Sequence, residues 1–167
     1  MRLLGAAFLW ISLICTGAIY SIKLKKRIVL LEKTIMMLEE LKIQLQFLNL
    51  PVFEMLCKAQ NKDYLSDLDY MFVCSEEMNC GNDFPSAWKI SLGNSHLLYK
   101  REEKERLLQL GENLGVSNTE SQINILNMQI NCFTEFLEKA KYKNLKYGNM
   151  ATLLGVLSGC MIFILVI

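Results

Sequence analysis

Six cysteines and a single histidine, His96, are the side chains in this sequence best suited to redox, nucleophilic or metal chemistry. A structural zinc site takes four ligands, usually with roughly two to four residues between paired cysteines. Cys57, Cys74, Cys80 and Cys132 show no such pairing, and no cysteine or carboxylate stands at a ligand-like interval from His96. Taken together, Cys57, Cys74, Cys80 and His96 could at most supply a thiol or metal site to a membrane-anchored sensor or ligand-binding module. Buried thiols acting as small apolar residues are the simpler reading.

Acid–base and phosphate chemistry find no better footing. Adjacent carboxylates such as Glu39-Glu40, Glu76-Glu77 and Glu102-Glu103 point about 100° apart on a helix, which makes them a solvated face rather than a catalytic pair. Gly111, Gly115, Gly148, Gly155 and Gly159 do not lead into a Lys-Ser or Lys-Thr pair, and no strand feeds them, so no phosphate-cradling loop is indicated. The expectation is a protein that is not an enzyme and has no cofactor, no metal and no small-molecule substrate. Nine methionines, including Met36-Met37, suit core gap-filling more simply than an adaptable binding groove.

The elements that must carry these residues are defined first by hydropathy. Of the 167 residues 52% are hydrophobic, and the surplus gathers at the two ends. Leu3 to Ile22 and Gly148 to Ile167 are each 20 residues without a charge, and a hydrocarbon layer about 30 Å thick takes about 20 helical residues to cross. Gly5, Ala6, Ala7, Gly155, Ser158 and Gly159 suit close helix packing in lipid. A cleavable secretory signal has a shorter apolar core, of roughly 7 to 15 residues; here Lys23, Leu24, Lys25, Lys26 and Arg27 follow the long segment at once, and it reads as a retained span.

Charge fixes the expected orientation and partner class. Lys23, Lys25, Lys26 and Arg27 follow the first segment, and Lys139, Lys141, Lys143 and Lys146 precede the second, so the middle of the chain should face the cytoplasm with both termini outside. Cys57, Cys74, Cys80 and Cys132 would then be free thiols in a reducing compartment. From Ile28 to Glu138 there are 17 acidic and nine basic residues, a net charge of −8 hidden beneath the overall +1. An acidic body argues against nucleic acid. Neither apolar segment carries an ionisable residue of the kind a transporter or holin-like pore would use.

Between the ends, apolar residues recur at helical spacing. Ile28, Leu31, Ile35, Leu38 and Leu45, widened by Leu41 and Leu48, predict a helix running to about Leu48. Pro51 ends it by biasing Leu50 toward an extended conformation, with a turn at Asn49 and Leu50, and opens a short helix, Val52 to Ala59. A third helix is expected from Asp63 to Glu77 with Tyr64, Leu68, Met71 and Phe72 on one face, then a loop from Asn79 to Asp83. Pro85 opens a fourth helix through Trp88 and Leu92. The stretch from Lys100 to Arg106 pairs opposite charges three and four apart and leads into Leu107, Leu108, Leu110 and Leu114. Gly115 reads as a helix stop, and Ser117 with Glu120 forms a capping-box pattern for a last, long helix through Ile123, Leu126, Ile130, Phe133 and Leu137.

The fold class expected is all-α: terminal transmembrane helices at residues 1–22 and 148–167 flank a cytoplasmic bundle of about five or six helices at residues 23–147. The stretch Leu107-Leu108-Gln109-Leu110-Gly111-Glu112-Asn113-Leu114-Gly115-Val116-Ser117-Asn118-Thr119-Glu120-Ser121-Gln122 resembles the Leu-Gly-x-x-Leu-Gly-x-Ser-Asp-x-x-x-Gln signature of the stage III sporulation protein AB family. The Met1-Arg2-Leu3-Leu4-Gly5-Ala6 start, the Leu50-Pro51-Val52-Phe53-Glu54-Met55-Leu56 turn, and the ending from Lys146-Tyr147-Gly148 to Leu154-Gly155-Val156-Leu157-Ser158-Gly159 are similar to it as well. Asn118 stands where the family has Asp, and Asn49-Leu50-Pro51 where it has Thr-Pro-Leu.

The resemblance implies a protein of the mother-cell membrane around the forespore, a scaffold in the channel joining the two cells. It also implies a helical domain similar to the platform protein F of type II secretion, docked to a cytoplasmic secretion-type ATPase, stage III sporulation protein AA, and to other membrane components of the channel. Pro51, Gly111, Gly115, Ser117, Asn118 and Gln122 are the residues singled out as structural or interaction positions, with capping and turn chemistry as their plainest role.

Overall fold

A computed structural model describes the backbone of residues 2–48, 50–116 and 118–166, and the side chains of residues 19–48, 50–116 and 118–147. Among the described residues the chain is all-α. Six α-helices follow one another: α1 (Arg2–Ile43), α2 (Val52–Gln60), α3 (Asp69–Asn79), α4 (Phe84–Asn94), α5 (Arg101–Asn113) and α6 (Thr119–Val166). A π-helical turn, Gln44–Leu48, ends α1, and a 3₁₀ turn, Asp63–Leu65, lies between α2 and α3. Apart from 19–22, the two segments expected to span a bilayer lie outside the residues whose side chains are described, and among the described residues no helix is long and apolar enough to cross a membrane.

The chain divides into two compact units, Met1–Val29 with Leu137–Ile167, and Leu30–Phe136. Within the first, Leu24, Leu137 and Ala140 are buried, while Ile19, Tyr20, Ile22, Tyr142, Leu145 and Tyr147 are exposed. The second contains the packed helices α2 to α5, in which α3 lies against both α2 and α4, and α4 against α5.

Tyr70 and Trp88 organise the core of that second unit. Tyr70 on α3 is fully buried and meets the indole of Trp88 on α4 edge to face, with ring centroids 5.4 Å apart. A buried hydroxyl must find partners, and Tyr70 Oη donates to Met37 Sδ of α1 at 3.3 Å and lies 3.4 Å from Tyr99 Oη. Tyr99 in turn meets Thr34 Oγ1 of α1 at 2.8 Å. This chain of hydroxyls ties α1, α3 and the extended segment 95–100 into one polar seam inside an apolar core. Asp69, the first residue of α3, anchors the same segment by accepting the Ser95 hydroxyl at 2.5 Å and the His96 backbone N–H at 3.1 Å.

Several expected boundaries move, each for a local reason. The third helix does not run unbroken from Asp63: Ser66 turns its hydroxyl onto the Asp63 carbonyl at 2.7 Å, the 3₁₀ turn closes, and α3 starts afresh at Asp69. The restart resets the register, burying Leu65, Leu68, Met71 and Cys74 and leaving Tyr64 and Phe72 exposed, not on the core face. On α1 the buried stripe is Leu31, Thr34, Met37, Leu38 and Leu41, continued by Gln44 and Leu45 of the π turn, with Ile28 and Ile35 only half-buried. The wider π turn rotates the chain past its helical register, and Leu48 ends up exposed. Glu103 is no solvated partner of Glu102. It is buried, and its carboxylate accepts the Lys100 backbone N–H at 2.7 Å, closing a capping box at the start of α5.

Burial holds three groups in their neutral forms. Desolvation pushes the Tyr99 hydroxyl up to about 12 against the opposing hydrogen bonds from Thr34 and Tyr70, and raises Tyr70 well above the ordinary tyrosine value. It also pushes the Cys74 thiol up to about 12. In each case the unfolded chain loses its proton first, so the stability these groups contribute is complete below about pH 9, and that of Tyr99 and Cys74 is lost as pH rises toward 12. The unfolding free energy of the full chain in detergent, followed by near-ultraviolet circular dichroism in urea, is expected to decline over that window, and Tyr99→Phe to make the decline shallower.

Candidate functional site

The signature stretch and the proline turn meet at one end of the second unit. On α5 the buried residues are Glu103, Leu107, Leu110 and Gly111, followed by Leu114 at the C-cap, one helical face throughout. Gly111 lies where Trp88 of α4 rests on that face. A Cβ at Gly111 would overlap Trp88 Cδ1 and stand 2.7 Å from Cγ. The indole Nε1–H donates at 2.7 Å to the carbonyl of Leu107, one turn earlier on α5. Gly111 is therefore required for the indole to lie against the α5 backbone rather than against a side chain.

The helix ends with Leu114 N–H donating to the Leu110 carbonyl at 2.9 Å. Gly115 then takes φ +86°, a left-handed conformation that is costly for residues with a Cβ. Its N–H donates at 3.0 Å to Oε1 of Gln122, a largely buried side chain in the first turns of α6. Asn118 caps α6, since its Oδ1 accepts Ser121 N–H at 3.0 Å and its carbonyl accepts Gln122 N–H at 3.1 Å. The described cap of α6 is thus Asn118, one residue beyond the expected capping serine; Ser117 itself lies outside the described residues, as does Asn49. Asn118 keeps the acceptor oxygen that Asp would offer, so the departure from the family signature leaves this capping bond intact.

Pro51 is reached from the other side. It stands just before α2 as the N-cap, not as its first helical residue, and its carbonyl accepts Met55 N–H at 3.1 Å. The next residue, Val52, approaches Gly115 so closely that a Cβ there would lie 3.0 Å from Val52 Cγ2. Of the six residues singled out from the sequence, Pro51, Gly115, Asn118 and Gln122 thus lie at one junction between the end of α5 and the starts of α6 and α2, while Gly111 seats Trp88 of α4 one turn before it.

Sequence reasoning missed Trp88, Tyr70, Tyr99, Thr34 and Glu103 as positioning residues. A glycine inside a helical pattern signals a close approach, and a tryptophan N–H needs an acceptor; joined, these two signals could have paired Gly111 with Trp88. No sequence signal marks the Thr34–Tyr99–Tyr70 seam, because its members lie far apart in the chain. The residues of the thiol or metal reading are not drawn together: among the described residues no group of three or more Cys, His, Asp or Glu could hold a metal ion. Cys74 is buried, Cys57 and Cys132 half-buried and Cys80 exposed, and all four are free.

Helix packing through an indole on a glycine, and a junction made of caps, define an all-helical protein whose marked residues serve its own architecture. The chain belongs to the stage III sporulation protein AB (spore_III_AB) family, whose sequence model matches residues 2–167. Membership gives the protein a role in sporulation. No curated protein and no solved structure matches it.

Substitutions at the junction should rank by what each displaces. Gly111→Ala must expel the Trp88 indole and break its hydrogen bond, at roughly 3 kcal/mol. Gly115→Ala is expected to cost about 1–2 kcal/mol for the left-handed backbone, and Asn118→Ala about 1 kcal/mol for the lost cap. Asn118→Asp should be near neutral. Urea unfolding of the full-length variants checks the order.

Proposed function

We propose that the protein is a non-enzymatic membrane scaffold of the channel between mother cell and forespore, required for endospore formation. In this reading both apolar ends cross the mother-cell membrane, and the helical domain docks a secretion-type ATPase, stage III sporulation protein AA, in the cytoplasm beside other membrane components of the channel.

The observation that carries the membrane reading is the side-chain pattern of the first unit. Tyr20, Tyr142 and Tyr147 are exposed together with Ile19, Ile22 and Leu145, the last at 80%. Tyr142, Leu145 and Tyr147 are interleaved with Lys139, Lys141, Lys143 and Lys146, and Ile19, Tyr20 and Ile22 directly precede Lys23, Lys25, Lys26 and Arg27. Exposed aromatic and aliphatic side chains interleaved with lysines suit the head-group layer of a bilayer, where tyrosine rings settle and lysine stems extend to the charged surface. Eight basic residues on one side of the spans keep that side cytoplasmic.

The non-enzymatic reading is supported by the occupations of the side chains capable of chemistry. Glu103 caps α5 and Asp69 fastens segment 95–100. Cys74 is buried against Ser91. The docking reading rests on family membership and on the acidic body, which favours a basic partner mainly by speeding encounter.

Reporter tags fused to either end of the chain in sporulating cells should both respond on the side of the membrane opposite the cytoplasm, and co-purification in mild detergent should recover the ATPase. Tags reporting opposite compartments, or a full chain that stays in solution without detergent, would refute the scaffold reading.

A further inference from the structure

The first unit is strongly basic. Residues 19–29 of α1 and 137–147 of α6 hold eight basic residues and a single acidic one, Glu138. Leu24 on α1 and Leu137 and Ala140 on α6 are buried, which sets the inward side of each helix. Lys23, Lys25 and Lys26 stand one or two residues from Leu24, about 100° or 200° round the helix from it, and all three are exposed. Lys143 and Lys146 are exposed too, and at a spacing of three they are neighbours on one strip of α6. Exposed Tyr142, Leu145 and Tyr147 lie among them, and the Lys146 ammonium sits 5.4 Å from the centroid of the Tyr147 ring.

What these lysines face follows from where their helices lead. Both α1 and α6 run without a break into the uncharged stretches 3–22 and 148–167. At 1.5 Å of rise per residue, all five lysines lie within about 8 Å of those stretches along the helix axes. That distance matches the screening length of about 8 Å at physiological ionic strength, so a negative layer at the edge of the apolar stretches attracts all five at working salt. Four to eight basic residues immediately beside a membrane span suit acidic head groups, each adding to the attraction. A second copy of this chain would set basic surface against basic surface. We infer that Lys23, Lys25 and Lys26 of α1 with Lys143 and Lys146 of α6 are a docking surface for anionic phospholipid head groups, by which the protein gathers acidic lipid from a mixed bilayer. The inference deepens the membrane reading above and rests on it.

The test reconstitutes the full-length chain in symmetric vesicles of phosphatidylcholine and phosphatidylglycerol carrying a trace of either lipid with a spin label. Electron spin resonance then reads the fraction of each lipid that the protein holds immobile, whichever way the chain has inserted. Phosphatidylglycerol should be held at least about fivefold more strongly than phosphatidylcholine, the worth of one lysine at an anionic surface. The preference should fade in about 1 M salt, where the screening length shrinks to about 3 Å. Replacing all five lysines by Gln should bring the two lipids to equality, and replacing all five by Arg should keep the preference. The five side chains are exposed, so circular dichroism of both variants should match the parent. Equal holding of the two lipids by the unaltered chain, or a preference that survives Lys→Gln, overturns this inference and leaves the membrane reading standing. No immobile lipid of either kind overturns both. A Lys→Gln chain that keeps the lipid preference but no longer recovers the ATPase in co-purification assigns the surface to a protein partner and overturns the inference as well.

Discussion

The placement of the Trp88 indole on the bare backbone at Gly111 is the contact on which the packing of the second unit turns. An aromatic side chain of that size buries more apolar area than any other residue can, but its N–H must be satisfied where water is excluded. The Leu107 carbonyl supplies that acceptor at 2.7 Å, and it is reachable only because α5 carries no side chain one turn later. The same indole meets Tyr70 at 5.4 Å and Phe84 at 5.5 Å, so one ring fixes the spacing of α3, α4 and α5 at once.

Polar groups inside this core act as alignment pins. The hydroxyls of Thr34, Tyr99 and Tyr70 and the sulfur of Met37 bond only when α1, α3 and segment 95–100 are in register, because each gives up water to do so. Asp69 and Glu103 extend the principle to the ends of helices, each spending a carboxylate on backbone N–H groups or a hydroxyl that would otherwise lie unpaired. Glu103, which the sequence places on a solvated face, is thus a buried fastener of the start of α5.

The junction of Gly115, Gln122, Asn118 and Val52 gives the sporulation-family signature a physical content. Its glycines answer two separate demands, a close approach at Gly111 and a positive φ at Gly115, while Gln122 and Asn118 satisfy backbone groups released at the break between α5 and α6.

The sequence by itself determined the helical class, the start of α2 and the stop at Gly115, because helical period, proline and glycine act within a turn or two of their own position. The resemblance to the family signature also marked Gly111, Gly115, Asn118 and Gln122. Only the tertiary structure decided that the helix expected from Asp63 restarts at Asp69, that Glu103 turns inward, that a π turn leaves Leu48 outside, and that Trp88 is the partner of Gly111. Those outcomes depend on groups brought together from distant parts of the chain, whose hydrogen bonds and apolar contacts outweigh the local preferences that a linear reading can weigh.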